Sequence, residues 1–139
     1  MKLSLLNSQA IGLILGLVVQ FLLGIAINLY VQFPANQTRE QLWSFAFKQW
    51  LVVAHLVVGV GLVLGSIIFL IRSIRQKSLG WKILAAIGLI AVLIAWASGE
   101  EFVSTQADIW SFVMSIGFGI ALLAYSWGLY ASSNFDSKY

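Results

Sequence analysis

The chain has 139 residues, of which 60% are hydrophobic and 9% charged, and its mean hydropathy is +0.94. These values exclude an ordinary soluble domain, in which about a quarter of the residues are charged. The net charge of +3 comes mostly from one short basic connection and the chain ends, which gives little support to nucleic-acid binding, and the absence of cysteine excludes disulfides, iron–sulfur clusters and thiol catalysis.

Four apolar segments, 11–33, 50–71, 81–103 and 109–131, are long enough to cross a bilayer, which takes about 20 helical residues. Their apolar residues are continuous rather than alternating, which favours helices over the strands of a closed barrel. We therefore predict an all-α integral membrane protein. A single transmembrane domain over 1–139 would form a four-helix bundle in which sequential helices are antiparallel neighbours.

The connections carry further signals. After the first span, Thr38 and Gln41 have the spacing of a capping box. A helix that begins there either continues into the second span or ends early and lies along the membrane interface. At the end of the chain, residues 132–139 form a polar tail, which we expect to be mobile.

The basic residues predict the orientation. The connection 72–82, between the second and third spans, contains Arg72, Arg75, Lys77 and Lys82. The other two connections together hold only two basic residues, Arg39 and Lys48, accompanied by Glu40, Glu100, Glu101 and Asp108. Lys and Arg are enriched in cytoplasmic loops. We therefore expect 72–82 and both chain ends to be cytoplasmic.

His55 is the only histidine and lies inside the nearly uncharged second span. A titratable side chain within a membrane segment is a candidate for function. Its helical spacing predicts a stripe that faces protein rather than lipid, made of His55, Gly59, Leu62, Ser66 and Ser73. A second stripe of polar and small residues, on the first span, contains Gln20, Gly24 and Asn28, for which we expect interhelical hydrogen bonds.

Polar residues of all four spans fall at a similar depth on the predicted outer side. The candidate ligand or proton site formed by them contains Asn28, His55, Glu100, Glu101 and Ser111. Carboxylates prefer hard cations and neutral imidazole suits transition metals, so the type of ion stays open. The alternative is a structural His55, hydrogen-bonded to Asn28, to Ser111 or to a backbone carbonyl.

A haem is a further possibility for the same layer. Iron accepts imidazole and thioether ligands, His55 and Met114 have similar predicted depths, and Gly59 would leave room for a porphyrin. The segment 54–59, with Arg72 and Arg75 at the inner end of its span, resembles the haem-bearing helices of four-helix membrane cytochromes. This resemblance implies haem b with His55 as an axial ligand.

Glycine pairs mark possible helix contacts. Gly12 and Gly16 in the first span, and Gly61 and Gly65 in the second, have the spacing that lets membrane helices approach closely. Gly61 and Gly65 lie roughly opposite the His55 stripe. We expect one face of the second span to pack within the bundle and the other to meet another helix or a second protomer.

The segments 55–75, 97–102 and 111–114 resemble small four-span bacterial membrane proteins without an assigned function. This resemblance implies the plasma (inner) membrane of a bacterium. We expect a non-enzymatic protein in the lipid bilayer, a homo-oligomer or an accessory subunit of a larger membrane complex, with an outer-side polar pocket. The alternatives are a b-type haem electron carrier that uses His55 and a small proton or cation transporter or channel that uses His55 with Glu100 and Glu101.

Overall fold

The computed structural model describes residues 5–76 and 79–136, and the side chains of 5–76 and 79–132. Its helices are α1 (Leu5–Tyr30), α2 (Arg39–Ala46), α3 (Trp50–Arg75), α4 (Leu79–Thr105) and α5 (Asp108–Asp136). Four helices, α1, α3, α4 and α5, are long and apolar enough to cross a membrane. The predicted all-α class and the number of long apolar helices are therefore confirmed.

The long helices differ from the predicted apolar spans at their ends. Helices α3, α4 and α5 extend beyond their spans, whereas α1 begins before its predicted span 11–33 and ends at Tyr30, three residues short of it. Most of the predicted connection 72–82 is helical, since α3 continues to Arg75 and α4 begins at Leu79, while Lys77 and Ser78 lie outside the described residues. Residues 132–136 of the predicted polar tail belong to α5, and the rest of the tail lies outside the described residues. Hydropathy identifies the apolar part of a helix, whereas polar end turns continue the same backbone hydrogen bonding.

The short helix α2 is separate from α3. Thr38 caps it, because the Gln41 backbone N–H donates to Thr38 Oγ1 at 3.4 Å and the Thr38 N–H donates to Gln41 Oε1 at 2.9 Å. The predicted capping box is thus confirmed, while the alternative of one helix continuing into the second span is wrong. Trp43 of α2 donates from Nε1 to Ser104 Oγ of α4 at 3.3 Å, which holds α2 against one end of the bundle. We refer to this end as the α2 end.

The four long helices pack as a closed ring. Helix α1 contacts α3 and α5, and α4 contacts the same two helices on the other side. Helices α1 and α3 are antiparallel, since His55 lies against Gly24 near the α2 end while Leu13 lies against Gly65 two to three turns away. The predicted antiparallel arrangement of sequential spans is confirmed for this pair.

The half of the bundle away from α2 has a tightly packed core. The Tyr125 hydroxyl donates to Ser66 Oγ at 2.9 Å, and the Phe69 ring packs edge-on against Tyr125 and Trp81, with ring centres 5.6 and 5.3 Å apart. Leu62 and the two serines of the predicted His55 stripe are buried here. That part of the stripe therefore faces protein, as expected.

Three glycines make this close packing possible. The Tyr125 ring lies against Gly88, and the Trp81 ring lies against Gly128, in space that a side chain would fill. At Gly117, an added Cβ would lie 2.8 Å from the Ala91 carbonyl oxygen, so the backbones of α4 and α5 are in direct contact there. Glycine thus brings α4 and α5 together, as small residues do at membrane helix interfaces.

Candidate functional site

His55 lies between α3 and α1, about 8 Å along α3 from its first residue. The residue is half-buried, and a Cβ added to Gly24 would lie 3.5 Å from His55 Cε1. The imidazole also has a hydrogen-bond contact with the Gln20 backbone. Because Gly24 has no side chain, the ring of His55 can pack directly against the surface of α1.

Gln20 is the second polar residue of this interface, one turn from Gly24. Its Nε2 lies 3.2 Å from the position that a Cβ would take on Gly59, and the Trp96 ring lies 3.7 Å from the same position. Gln20 of α1 and Trp96 of α4 therefore fill the space beside Gly59. Gln20 was not among the predicted site residues, although its stripe with Gly24 was the signal that could have placed it there.

Two atoms of this pair are buried without hydrogen bonds. Neither Nδ1 of His55 nor Oε1 of Gln20 has a hydrogen-bond partner among the described residues. Buried polar atoms are nearly always paired, because leaving one unpaired costs about 1–3 kcal/mol. The arrangement therefore has unused capacity for a small polar group.

The chemistry of the two atoms indicates which group fits. If the contact with the Gln20 backbone is a donation from Nε2–H, Nδ1 of the neutral imidazole is an acceptor. The Gln20 Oε1 is also an acceptor. Together they suit a small hydrogen-bond donor, such as a water molecule, an ammonium group or a transferred proton.

Glu100 lies at the level of His55 but its side chain is engaged elsewhere. Trp96 of α4 packs against Gly59 of α3, so these two residues lie at the same level of the bundle. Glu100 is one turn from Trp96 towards the α2 end, and His55 is one turn from Gly59 in the same direction. The Glu100 carboxylate accepts a 2.7 Å hydrogen bond from Arg39, and both side chains are about half exposed. Glu100 and His55 therefore lie at a similar level along the bundle, but no described contact joins the carboxylate to the imidazole.

The other predicted site residues do not bond to His55. Asn28 is exposed one turn beyond Gly24, and Glu101 and Ser111 are half-buried on α4 and α5. Within the described part of the chain, no three His, Asp or Glu side chains come together as a metal site. Residue number sets the depth of a side chain in a helix, but the rotation of each helix depends on packing, and rotation separates these groups.

The residues around His55 do not fit a haem. A porphyrin beside Gly59 would have to displace Gln20 and Trp96, which fill that space. Met114 lies in a different interface, where its Sδ is 3.4 Å from a Cβ added to Gly99 of α4. His55 therefore packs against α1, whereas Met114 packs against α4, so the two proposed axial ligands lie in different helix interfaces.

The two glycine pairs line one open groove between α1 and α3, of about 420 Å³. One glycine of each pair receives a leucine: Leu62 lies 2.9 Å from a Cβ added to Gly16, and Leu13 lies 3.0 Å from one added to Gly65. The other two, Gly12 and Gly61, are exposed with no atom within 4 Å of an added Cβ. The helices thus approach by leucine against glycine, and the remaining glycines leave a surface groove.

The predicted resemblances to membrane cytochromes and to small four-span bacterial proteins stay predictions. They rest on short segments, 54–59 for the first and 55–75, 97–102 and 111–114 for the second. Comparison of the chain with protein-family models, with curated proteins and with solved structures finds no match.

Proposed function

We propose that the chain is a non-enzymatic integral membrane protein, an accessory subunit that holds a small hydrogen-bond donor between α1 and α3. The observation that carries the proposal is the pair of buried, unpartnered acceptors, Nδ1 of His55 and Oε1 of Gln20. Intramembrane histidines are rare and usually face a bundle interior or a water-filled cavity. A bound water or ammonium group is the kind of donor that would satisfy such acceptors.

The placement in the membrane rests on hydropathy and charge. Four long apolar helices suit a bilayer about 30 Å thick. Arg72 and Arg75 lie in the last turn of α3, and Lys82 lies in the first turn of α4, at the end of the bundle opposite α2. By the positive-inside rule we assign that end and both chain ends to the cytoplasm of a bacterial inner membrane, and the α2 end with His55 to the outer side.

An apolar layer separates the His55 site from the polar groups deeper in the bundle. Gly59 and Ser66 are seven residues apart on α3, a rise of about 10 Å. Between these levels lie the buried side chains of Leu17, Leu62 and Val92. Such a layer favours a site that binds over a path that conducts, because a proton or cation has no polar partner in it.

Proton or cation transport is the second candidate, and the shared level of Glu100 and His55 favours it. A carboxylate at the mouth would attract a cation or proton towards the imidazole. Its pairing with Arg39 and the apolar layer argue for the binding role instead.

The test is proton flux into liposomes that contain the purified protein, under an imposed potassium potential and with a pH-sensitive dye inside. We expect wild type and His55→Gln to match protein-free liposomes. Flux in wild type that disappears in both His55→Gln and Glu100→Gln, but remains in the neighbouring Glu101→Gln, would replace the accessory role with transport. A reduced haem absorption band lost in His55→Ala would instead establish the electron carrier.

A further inference from the structure

Arg72 is a half-buried cation without an acidic partner among the described residues. It lies in the last turn of α3 and donates from Nη1 to Oε1 of Gln9 at 3.1 Å. The Gln9 amide nitrogen in turn donates to the Gly65 carbonyl at 3.4 Å. The guanidinium has five N–H donors, so among the described residues this single neutral bond leaves most of its hydrogen-bonding capacity unused and its charge without a counter-ion.

This cation stands at one end of the α1/α3 groove. Gln9, its partner, is one of the groove residues, and the rest of the lining is apolar or glycine. The groove runs from Gln9 to Gly16, about 10 Å along α1, and is open to the outside at Gly12 and Gly61. Its volume of about 420 Å³ lies within the range of about 300–1,000 Å³ that holds small ligands.

We propose that the groove and Arg72 bind one anionic phospholipid, with part of an acyl chain between α1 and α3 and the headgroup phosphate on the guanidinium. The apolar groove suits a hydrocarbon chain. The Arg72 guanidinium at its end suits a lipid phosphate whose negative charge is not cancelled by a positive group in the same headgroup. Arginine pairs with phosphate through two parallel N–H donors, and basic pockets between membrane helices recognise anionic headgroups. The inference rests on the membrane location proposed above.

Charge favours a lipid over a second copy of the chain in the groove. Two copies inserted in the same orientation and joined about a two-fold axis would present identical surfaces to each other. Arg72 of each copy would then approach its counterpart at the same depth, with no acidic partner among the described residues to separate the two charges. The phosphate of an anionic lipid would instead attract the Arg72 guanidinium.

The test uses native mass spectrometry of the full chain in mild detergent with equal amounts of phosphatidylglycerol and phosphatidylcholine of the same acyl chains. Wild type should retain one phosphatidylglycerol, and Arg72→Gln should lower the preference over phosphatidylcholine about five-fold. Gly61→Leu, which fills the groove at an open position, should remove retention of either lipid. The matched controls, Arg75→Gln at an exposed neighbouring arginine and Gly119→Leu at another open glycine, should behave as wild type.

Three results would overturn the proposal. The first is equal retention of both lipids by wild type, and the second is an equal loss of preference in Arg72→Gln and Arg75→Gln. The third is a wild-type dimer that Gly61→Leu, and not Gly119→Leu, converts to a monomer, because a second copy then occupies the groove. Failure of the membrane location is distinguishable, since the chain would then remain in solution without detergent.

Discussion

The Tyr125 hydroxyl and the Ser66 hydroxyl form a hydrogen bond of 2.9 Å that joins α5 to α3 across the interior of the bundle. Both side chains are fully buried, and the Tyr125 ring reaches this position because Gly88 of α4 leaves the space for it. One glycine on a third helix thus permits a polar contact between two others. The contact constrains the rotation of α5 relative to α3.

A double-mutant cycle of Ser66→Ala and Tyr125→Phe should therefore show coupling. Interhelical hydrogen bonds in membrane proteins contribute about 0.6 kcal/mol on average and up to about 1.7 kcal/mol. We expect a coupling in that range from the free energy of unfolding in bicelles. Ser73→Ala is the control, because Ser73 bonds to the Phe69 carbonyl of its own helix at 2.8 Å and should not couple to Tyr125. Additive effects of Ser66→Ala and Tyr125→Phe would contradict this contact.

Gly117→Ala should destabilise the bundle by about 1–3 kcal/mol, the usual effect of overpacking. Its Cβ would lie 2.8 Å from the Ala91 carbonyl oxygen, a backbone atom that cannot move aside without shifting α4. Gly119→Ala, two residues along α5, meets no atom within 4 Å and should leave stability unchanged or raise it by up to about 1 kcal/mol, because alanine favours helix more than glycine does. Thermal unfolding of both variants in the same detergent makes the comparison, and equal midpoints would show that α4 and α5 are not in close contact here.

Thr38→Ala should loosen α2 without unfolding the long helices. Loss of an N-cap side chain costs about 0.5–2 kcal/mol, and here the effect is confined to an eight-residue helix. We expect faster amide hydrogen exchange in residues 39–46 and an almost unchanged unfolding midpoint. Ser44→Ala, at an exposed position of the same helix, should not accelerate exchange. If both variants exchange alike, Thr38 does not stabilise α2.

The ion pair between Arg39 and Glu100 should contribute little to stability. Its atoms are 2.7 Å apart, but both side chains are about half exposed, and exposed pairs are worth about 0.2–1 kcal/mol. Glu100→Gln should lower the free energy of unfolding by less than about 1 kcal/mol, and the difference should vanish in 1 M salt, where the Debye length is about 3 Å. Glu40→Gln, also exposed, is the control. A larger, salt-independent loss would indicate that Glu100 acts on a buried group.

The architecture is largely predictable from the sequence because it depends on local signals. Continuous apolar segments identify the four long helices, and the spacing of Thr38 and Gln41 identifies the start of α2. The depth of His55 relative to Glu100 also follows, because a helix rises by a fixed distance per residue. Each of these properties belongs to one segment of the chain.

The contacts between helices are less predictable, because they depend on rotations that several side chains decide together. The sequence does not show that Gln20, rather than Asn28, meets α3 beside His55. Nor does it show that leucines pack on Gly16 and Gly65 while the other glycine of each pair stays open. Those two open glycines are what leave a groove. Both outcomes depend on the fit of α1 against α3 over several turns.

The most direct test of the proposed His55 site is nitrogen and proton NMR of the His55 ring in lipid bilayers. Histidine-specific labelling makes the assignment unambiguous, because the chain has one histidine. We expect unprotonated Nδ1 to accept a hydrogen bond from an exchangeable donor, and water magnetisation to reach the ring. Gln20→Leu should remove both signals, whereas Gln9→Leu, at the other end of α1, should retain them. An Nδ1 that donates to a protein acceptor, or a ring that receives no magnetisation from water or another exchangeable donor, would contradict the proposed site.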